Sequence, residues 1–343
     1  MKTMLSFCQV VNDDGPPSRD GSPFVHSLVN ELKAQGHFVT VVLPNRQRSW
    51  IGKAHFVGEI VRPTYYYPDR LFQSNDPPPL DHSSNEGNHH EHPWVLVNST
   101  PAGCVQIGLH HSHALHKHDQ GEERPNPVDL VISGPNLGAN TTTLFSLSSG
   151  TIGGALEAAL CGKRSIALSF EPPSKLPSYD SDMITEASRH SVRLINYLYH
   201  NWDEGVELYS INVPLQPATT AAGERKVMYS RIRPNRWLSE SPFREVSSGD
   251  ATTALDDNDK IQSPPLLRWE PDLADIHGST DRTSDMDDDW MVRGGKTRYV
   301  ASGTLQRRPR SADGLIMAVA SVTPLKANFM HAVQAEGEIE LDA

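Results

Sequence analysis

The chain has 343 residues, a formal net charge of −11 and an apolar content of 37%. That length suits one large domain or two ordinary ones, and the acidic balance excludes a broad nucleic-acid-binding face while leaving room for a local small-nucleotide site. Three widely spaced cysteines (Cys8, Cys104, Cys161) exclude a disulfide framework and read as inert thiols in a reducing compartment, and no apolar run reaches the roughly 18 residues of a membrane span. The mean hydropathy of −0.47 reflects polar segments concentrated in a few places, so a normal core with long polar loops is expected. With no signal-peptide pattern at the N-terminus, a cytoplasmic location is expected.

Leu5 to Val11 is a short apolar run that predicts a buried strand. It stops at Asn12-Asp13-Asp14-Gly15, and a helical pattern follows in which Phe24, Leu28 and Leu32 share a face. Gly36 ends that helix, and His37 to Leu43 predicts a second strand, so the chain opens with a βαβ unit and a parallel sheet. The second strand leads into Asn45-Arg46-Gln47-Arg48-Ser49-Trp50. Residues 64–92 read as a long polar loop, Trp94 to Val97 as a strand, and Ser99-Thr100-Pro101 as a helix start. A second polar insertion covers 110–127, and Val128 to Ile132 predicts a strand ending in the turn-like Ser133 to Asn140. Ser148 to Thr151 opens a helix that Gly162 closes. Ser165 to Phe170, Met183 to Tyr199 and Leu208 to Val213 then predict strand, helix and strand.

This alternation over residues 1–215 predicts a three-layer α/β/α, Rossmann-like parallel sheet, followed by a C-terminal extension over 216–343 that carries a flexible stretch near 240–313. Residues from about Ala318 to Leu325 read as ordered again. In open parallel sheets ligands bind at the carboxyl ends of the strands. Three such ends carry the most polar motifs: Asn12–Gly15, Arg46–Ser49 and Ser133–Asn140. Read singly, Asp-Asp-Gly is an ordinary solvated turn and each neutral residue an ordinary cap. Their joint position carries the functional reading. Two adjacent carboxylates need a positive partner, and Asp13 and Asp14 with the oxygens of Ser49, Asn136 and Asn140 suit Mg²⁺, Mn²⁺ or Ca²⁺ rather than zinc. The helix start at Ser149-Gly150-Thr151 is a candidate anion site. A dinucleotide fingerprint, a P-loop and a nucleophile elbow are all missing. The His-rich tracts at His89–His92 and His110–His118 and the basic Arg293–Arg310 stretch read as solvated loops.

Together, VVNDDG, PNRQRSWIGKAH, STPAGCVQIGL, ISGPNLGAN and SSGTIGGALEAAL resemble the SurE family of survival-protein nucleotidases in the right order. Later pieces, YSINVPL, RIRPNRW, RWEPD and SVTPLKANF, are similar to fungal proteins in which a SurE-like half precedes a tubulin–tyrosine-ligase-like half. The resemblance implies a metal-dependent phosphomonoesterase acting on nucleoside 5′- and 3′-monophosphates, also described as an acid phosphatase. It implies one divalent cation per subunit held by Asp13, Asp14, Ser49 and Asn136. Asp13 and Asp14 are the candidate catalytic residues, and Asn12, Gly15, Asn140, Ser149, Gly150 and Thr151 the candidate phosphate and substrate contacts. It also implies a homodimer or homotetramer, with no membrane and no extended nucleic-acid site. The chain departs from the family at Pro16-Pro17 after NDDG and at Trp50, where most members have Gly; Asp281 or Asp313 only roughly matches a late family aspartate. The alternative reading is a nucleotide- or RNA-associated binding module with little turnover.

Overall fold

The computed structural model describes residues 6–18, 22–68, 93–115, 128–172, 180–215, 226–237, 241–246, 265–271 and 319–328. Among the described residues, strand β1 (Phe7–Val11) is the fourth strand of a nine-stranded sheet. Its flanking strands are β2 (Phe38–Pro44) and β5 (Leu130–Leu137), both parallel to it, with Val10 opposite Val41 on one side and Ile132 on the other. Outward from β2 come β4 (Trp94–Val97), parallel, and the short antiparallel edge strand β3 (Thr64–Tyr66). Outward from β5 come β6 (Arg164–Glu171) and β7 (Leu208–Pro214), both parallel. Two strands from beyond residue 215 extend the same sheet: β11 (Val319–Leu325) runs antiparallel against β7, and β8 (Lys226–Tyr229) pairs parallel with β11. A separate two-stranded ribbon joins β9 (Phe243–Glu245) to β10 (Leu267–Trp269).

Helices α1 (Phe24–Ala34) and α5 (Ser181–His200) pack against each other on one face of the sheet, and α2 (Pro101–Leu115) and α4 (Gly150–Leu160) on the other. The spacing of Phe24, Val25, Leu28, Val29 and Leu32 gives α1 one continuous apolar stripe, and all five are buried against the sheet. Each contributes up to about 1.5–3 kcal/mol of transfer free energy. The opposite face is more closely approached. Gln9 of β1 donates to the Cys104 carbonyl of α2 at 3.0 Å, and a Cβ on Gly108 would lie 2.0 Å from that side-chain nitrogen. The three-layer α/β/α reading therefore holds. Among the described residues, no helix is long and apolar enough to cross a membrane.

Several local expectations need correction. The polar segment from residue 64 begins with strand β3, because Thr64-Tyr65-Tyr66 finds a partner edge in β4; the stretch 69–92, with its His tract, lies outside the described residues. The second insertion is helical as far as Leu115, since α2 continues three turns past its apolar start. The fourth strand does not stop at Ile132. It runs through Ser133-Gly134-Pro135 to Leu137, with an irregularity in its pairing to β6 between Ser133 and Asn136. A short helix, α3 (Thr143–Ser148), precedes α4 and was not expected. The stretch 272–318, with the basic residues and both late aspartates, lies outside the described residues.

Counting only the parallel strands, the order is β4-β2-β1-β5-β6-β7. The chain leaves β1 toward β2 on one side and leaves β5 toward β6 on the other. The crevice between the carboxyl ends of β1 and β5 is therefore the topological switch point, where open α/β sheets bind ligands. The loop after β2 is pressed onto the first turn of α4: Gly52 N–H donates to the Ser148 carbonyl at 2.9 Å, and a Cβ on Gly153 would lie 2.4 Å from the Gly52 oxygen. Backbone must move for any side chain to enter there. Gly153→Ala is expected to lower the unfolding free energy by about 1–3 kcal/mol, read from the midpoint of a urea titration.

Candidate active site

The turn after β1 is built by its own side chain. Asn12 accepts a hydrogen bond from Gly15 N–H at 3.0 Å and returns one from its amide to the Gly15 carbonyl at 2.8 Å. Gly15 has φ +85°, and a Cβ there would lie 3.0 Å from the Arg46 backbone, so both the turn and the approach of the β2 loop require glycine. This closed turn fixes the two carboxylates between its ends.

Asp13 is 2% exposed. Its Oδ1 accepts a 2.6 Å hydrogen bond from the Thr151 hydroxyl in the first turn of α4. Its backbone carbonyl accepts from Arg48 N–H at 2.6 Å, which brings the β2 loop to the same point. Gly150 makes the contact with α4 close: a Cβ there would lie 2.7 Å from the Asp13 Cβ and 3.1 Å from the Arg48 oxygen. Asp14 turns the other way, and its Oδ2 accepts from the Leu137 N–H at the end of β5, at 3.0 Å. Burial, then the neighbouring Asp14 charge, push the Asp13 carboxyl up to about 7, against the Thr151 hydrogen bonds that favour its ionised form. Burial also pushes Asp14 upward.

Asn136 stands next to Leu137, and its side-chain amide donates to the Gly138 carbonyl at 2.7 Å, which leaves the side-chain oxygen as its acceptor. Ser149 is the N-cap of α4, its hydroxyl oxygen accepting from Ile152 N–H at 3.1 Å. Ser49 is exposed on the β2 loop, one residue beyond the Arg48–Asp13 bond. Asn140 sits deeper along the crevice. Its backbone N–H donates to the Asn212 side-chain oxygen at 2.7 Å, and its side-chain amide donates to Ser169 Oγ at 3.1 Å. The structure thus brings Asn12, Asp13, Asp14, Gly15, Gly150 and Thr151 into direct contact or immediate adjacency. It holds Asn136 beside them through Leu137, and ties Asn140 to the ends of β6 and β7.

Sequence reasoning missed Asn212 and Ser169, polar residues in otherwise buried strands, where an unexplained polar side chain was the available signal. It also missed the clamp behind the β2 loop. Lys53 Nζ lies 2.6 Å from a Glu157 carboxylate oxygen on α4, and the Gln106 side-chain amide of α2 donates to the other. Burial alone would raise the Glu157 carboxyl, but Gln106 and Lys53 hold it below its ordinary value. Cys8 and Cys104 are buried, and burial raises both thiols above their ordinary range, as expected of inert cysteines.

The residues present fit a hard divalent cation. Two adjacent carboxylates at the end of β1 are raised in pKa by burial, with the Thr151 hydroxyl on Asp13 and the Asn136 side chain next to the Leu137 N–H that donates to Asp14. The side-chain donors of Asp13, Asp14, Ser49 and Asn136 are oxygens, the type that suits Mg²⁺, Mn²⁺ or Ca²⁺; among the described residues no three His, Cys, Asp or Glu side chains gather into a cluster.

Comparison with known proteins finds relatives of this chain. The family described as "Survival protein SurE" matches residues 8–238. A protein of Saccharomyces cerevisiae named "Probable tubulin--tyrosine ligase PBY1" is 30% identical over 97% of this chain, which spans only 42% of that protein's length. The "5'-nucleotidase SurE" of Natranaerobius thermophilus is 30% identical over 65% of this chain and 70% of its own, and that of Ruegeria pomeroyi 37% identical over 67% and 76%. Among solved structures, the SurE protein from Aquifex aeolicus, 21% identical with a TM-score of 0.50, covers 94% of both chains and shares the fold. With the family's match running from β1 past β8, this chain belongs to the survival protein SurE family.

Proposed function

We propose that the chain is a divalent-cation-dependent phosphomonoesterase that hydrolyses nucleoside 5′- or 3′-monophosphates, or similar small phosphate monoesters, to alcohol and phosphate. The observation that carries this reading is the buried Asp13, fixed by Thr151 at the N-terminus of α4 and paired with Asp14 at the switch point. The bacterial SurE relatives named as 5′-nucleotidases support it. In this reading the chain works in the cytoplasm, and the family resemblance implies a homodimer or homotetramer.

Asp13, Asp14, Ser49 and Asn136 are the residues that would hold one Mg²⁺ or Mn²⁺. When bound, such an ion polarises the phosphoryl group and lowers the pKa of water. The first turn of α4, with Ser149, Gly150 and Thr151, presents a helix N-terminus of the kind that binds phosphate oxygens. Asn12 and Gly15 keep the turn closed beneath it, and Asn140 places an amide farther along the crevice. The carboxylate pair takes up the proton that attacking water releases. Thr151 orients Asp13 for either task.

A second reading has a specific observation behind it. Similarity over nearly the whole chain to a protein named for another activity favours a binding module that keeps the site and has lost turnover. Phosphate release separates the two. Asp13→Asn and Asp14→Asn are each expected to lower phosphate release from nucleoside monophosphates at least about a hundredfold, the scale of a lost electrostatic or acid–base group, with the fold retained by circular dichroism. EDTA should abolish release, and Mg²⁺ or Mn²⁺ restore it. Metal-dependent nucleotide binding without any release from the wild-type chain would select the binding module instead.

The carboxylate pair also sets a pH dependence. Asp13 has an ordinary pKa of 3.8 and a folded value of about 7. Between these values the folded chain keeps a proton that the unfolded chain has released. Stability of the cation-free protein therefore falls as pH rises from about 4 to about 7 and is level beyond. In the presence of a chelator, Asp13→Asn should unfold at higher urea than wild type at pH 8, by more than ~1 kcal/mol, and the difference should shrink below pH 4. A constant difference across that range would overturn the assignment of the strain to Asp13.

A further inference from the structure

Three tryptophans distant in sequence meet beside this site. Trp50, next to Ser49, has its ring centroid 6.2 Å from Trp237, with planes 28° apart, and 5.6 Å from Trp269, at 64°. Trp237 and Trp269 lie 6.0 Å apart, nearly perpendicular. Phe145 of α3 approaches Trp50 at 5.7 Å, and Phe243 of β9 approaches Trp269 at 5.2 Å.

Backbone contacts fix the cluster to the candidate phosphate turn. Arg48, two residues before Trp50, donates to the Asp13 carbonyl. Phe145 lies four residues before the N-cap Ser149. The arm bearing Trp237 is stitched to the start of α3: Arg233 pairs with Thr142, Thr143 N–H donates to the Arg233 carbonyl at 2.9 Å, and the Asn235 side-chain oxygen accepts from Leu144 N–H at 2.8 Å. Trp50 itself has φ +61°, a conformation that costs a bulky residue free energy, so the surrounding packing holds the indole there against that cost.

These rings are not core. Trp50 and Trp237 are half-buried, and Trp269 is 40% exposed at the tip of a ribbon whose other strand residues face solvent. Arg46, Arg48, Arg231, Arg233 and Arg236 arrive on the same two segments as Trp50 and Trp237, in a chain of net charge −11. Aromatic rings on arginine-bearing segments beside a candidate phosphate site suit a nucleotide: the arginines complement its charge, and the rings offer a stacking surface to its base.

The geometry points to a nucleobase subsite, in which the Trp50–Trp237–Trp269 cluster stacks the base of the nucleotide whose phosphate sits at the Asp13–Thr151 turn. This inference rests on the proposed phosphomonoesterase and deepens it: the aromatic base, not the sugar phosphate alone, selects the substrate. The competing role is a clasp that only fastens the β9–β10 ribbon. A clasp contributes stability and no selectivity.

The test compares adenosine 5′-monophosphate with ribose 5-phosphate, the same ester without a base, in wild type, Trp269→Ala and Trp269→Phe. The ratio of kcat/KM for the two substrates should fall about tenfold in Trp269→Ala, the scale of one lost stacking contact, and stay within about twofold of wild type in Trp269→Phe. A ratio unchanged in Trp269→Ala, whatever happens to its Tm, overturns the subsite and leaves the clasp. Should wild type release phosphate from neither compound, the phosphatase reading fails by itself. The subsite is then read by titrating tryptophan fluorescence with adenosine 5′-monophosphate in Mg²⁺. Quenching whose Kd weakens about tenfold in Trp269→Ala supports it, and no quenching of the wild type at millimolar nucleotide overturns it.

Discussion

Two carboxylates on consecutive residues at the end of a buried strand repel each other and resist leaving water. The surrounding structure answers that cost with directed hydrogen bonds. Thr151 gives its hydroxyl to Asp13, and the end of β5 gives a backbone N–H to Asp14, so the pair is splayed between two elements and neither oxygen set faces only its neighbour. What remains uncompensated is an affinity for positive charge. A site that is strained when empty would bind a cation with part of the folding free energy.

Close approach is the second requirement, and glycine meets it. The site needs α4 against Asp13, the β2 loop against α4, and α4 against the sheet. A Cβ at Gly150 would meet Asp13, one at Gly153 would meet Gly52, and one at Gly154 would lie 2.7 Å from Ser133 Oγ. The small-residue run that opens α4 is therefore a packing surface on which the β2 loop and the β1 turn converge. The Glu157–Lys53 ion pair, on the same helix two turns from its start, ties down the far side of that loop. Its shielded position gives it more weight than an exposed pair.

The parts of the fold that were legible in the sequence follow from residue pattern. Leu5 to Val11 and His37 to Leu43 read as strands because mostly apolar and β-branched residues run without Gly or Pro up to a turn, and the switch-point crevice followed from their parallel order. Gly134-Pro135 misled, since a glycine–proline pair ordinarily ends a strand. Here β5 carries the pair inside a pairing irregularity and resumes at Asn136 opposite Ser169. Strand β3 was hidden because three residues, Thr64-Tyr65-Tyr66, declare a strand only when an edge accepts them. Asn212 and the Trp237–Trp269 contact are tertiary facts: each depends on residues brought together from tens to hundreds of positions away, and no local pattern encodes that.

The seam between β7 and β11 gives the site an order of construction. Asn212, which holds the Asn140 backbone, lies in β7 and donates through its amide to Ser321 of β11 at 3.5 Å, 109 positions later. During translation at about 5–20 residues per second, β7 leaves the ribosome several seconds before the strand that covers its outer edge. Through that interval the growing chain carries a long, apolar, unpaired strand edge, the kind of surface on which nascent proteins stick to one another or recruit a chaperone. The Asn12–Gly15 turn at the amino-terminal end can form early, whereas the wall that anchors Asn140 is completed only as the last strand of the sheet docks.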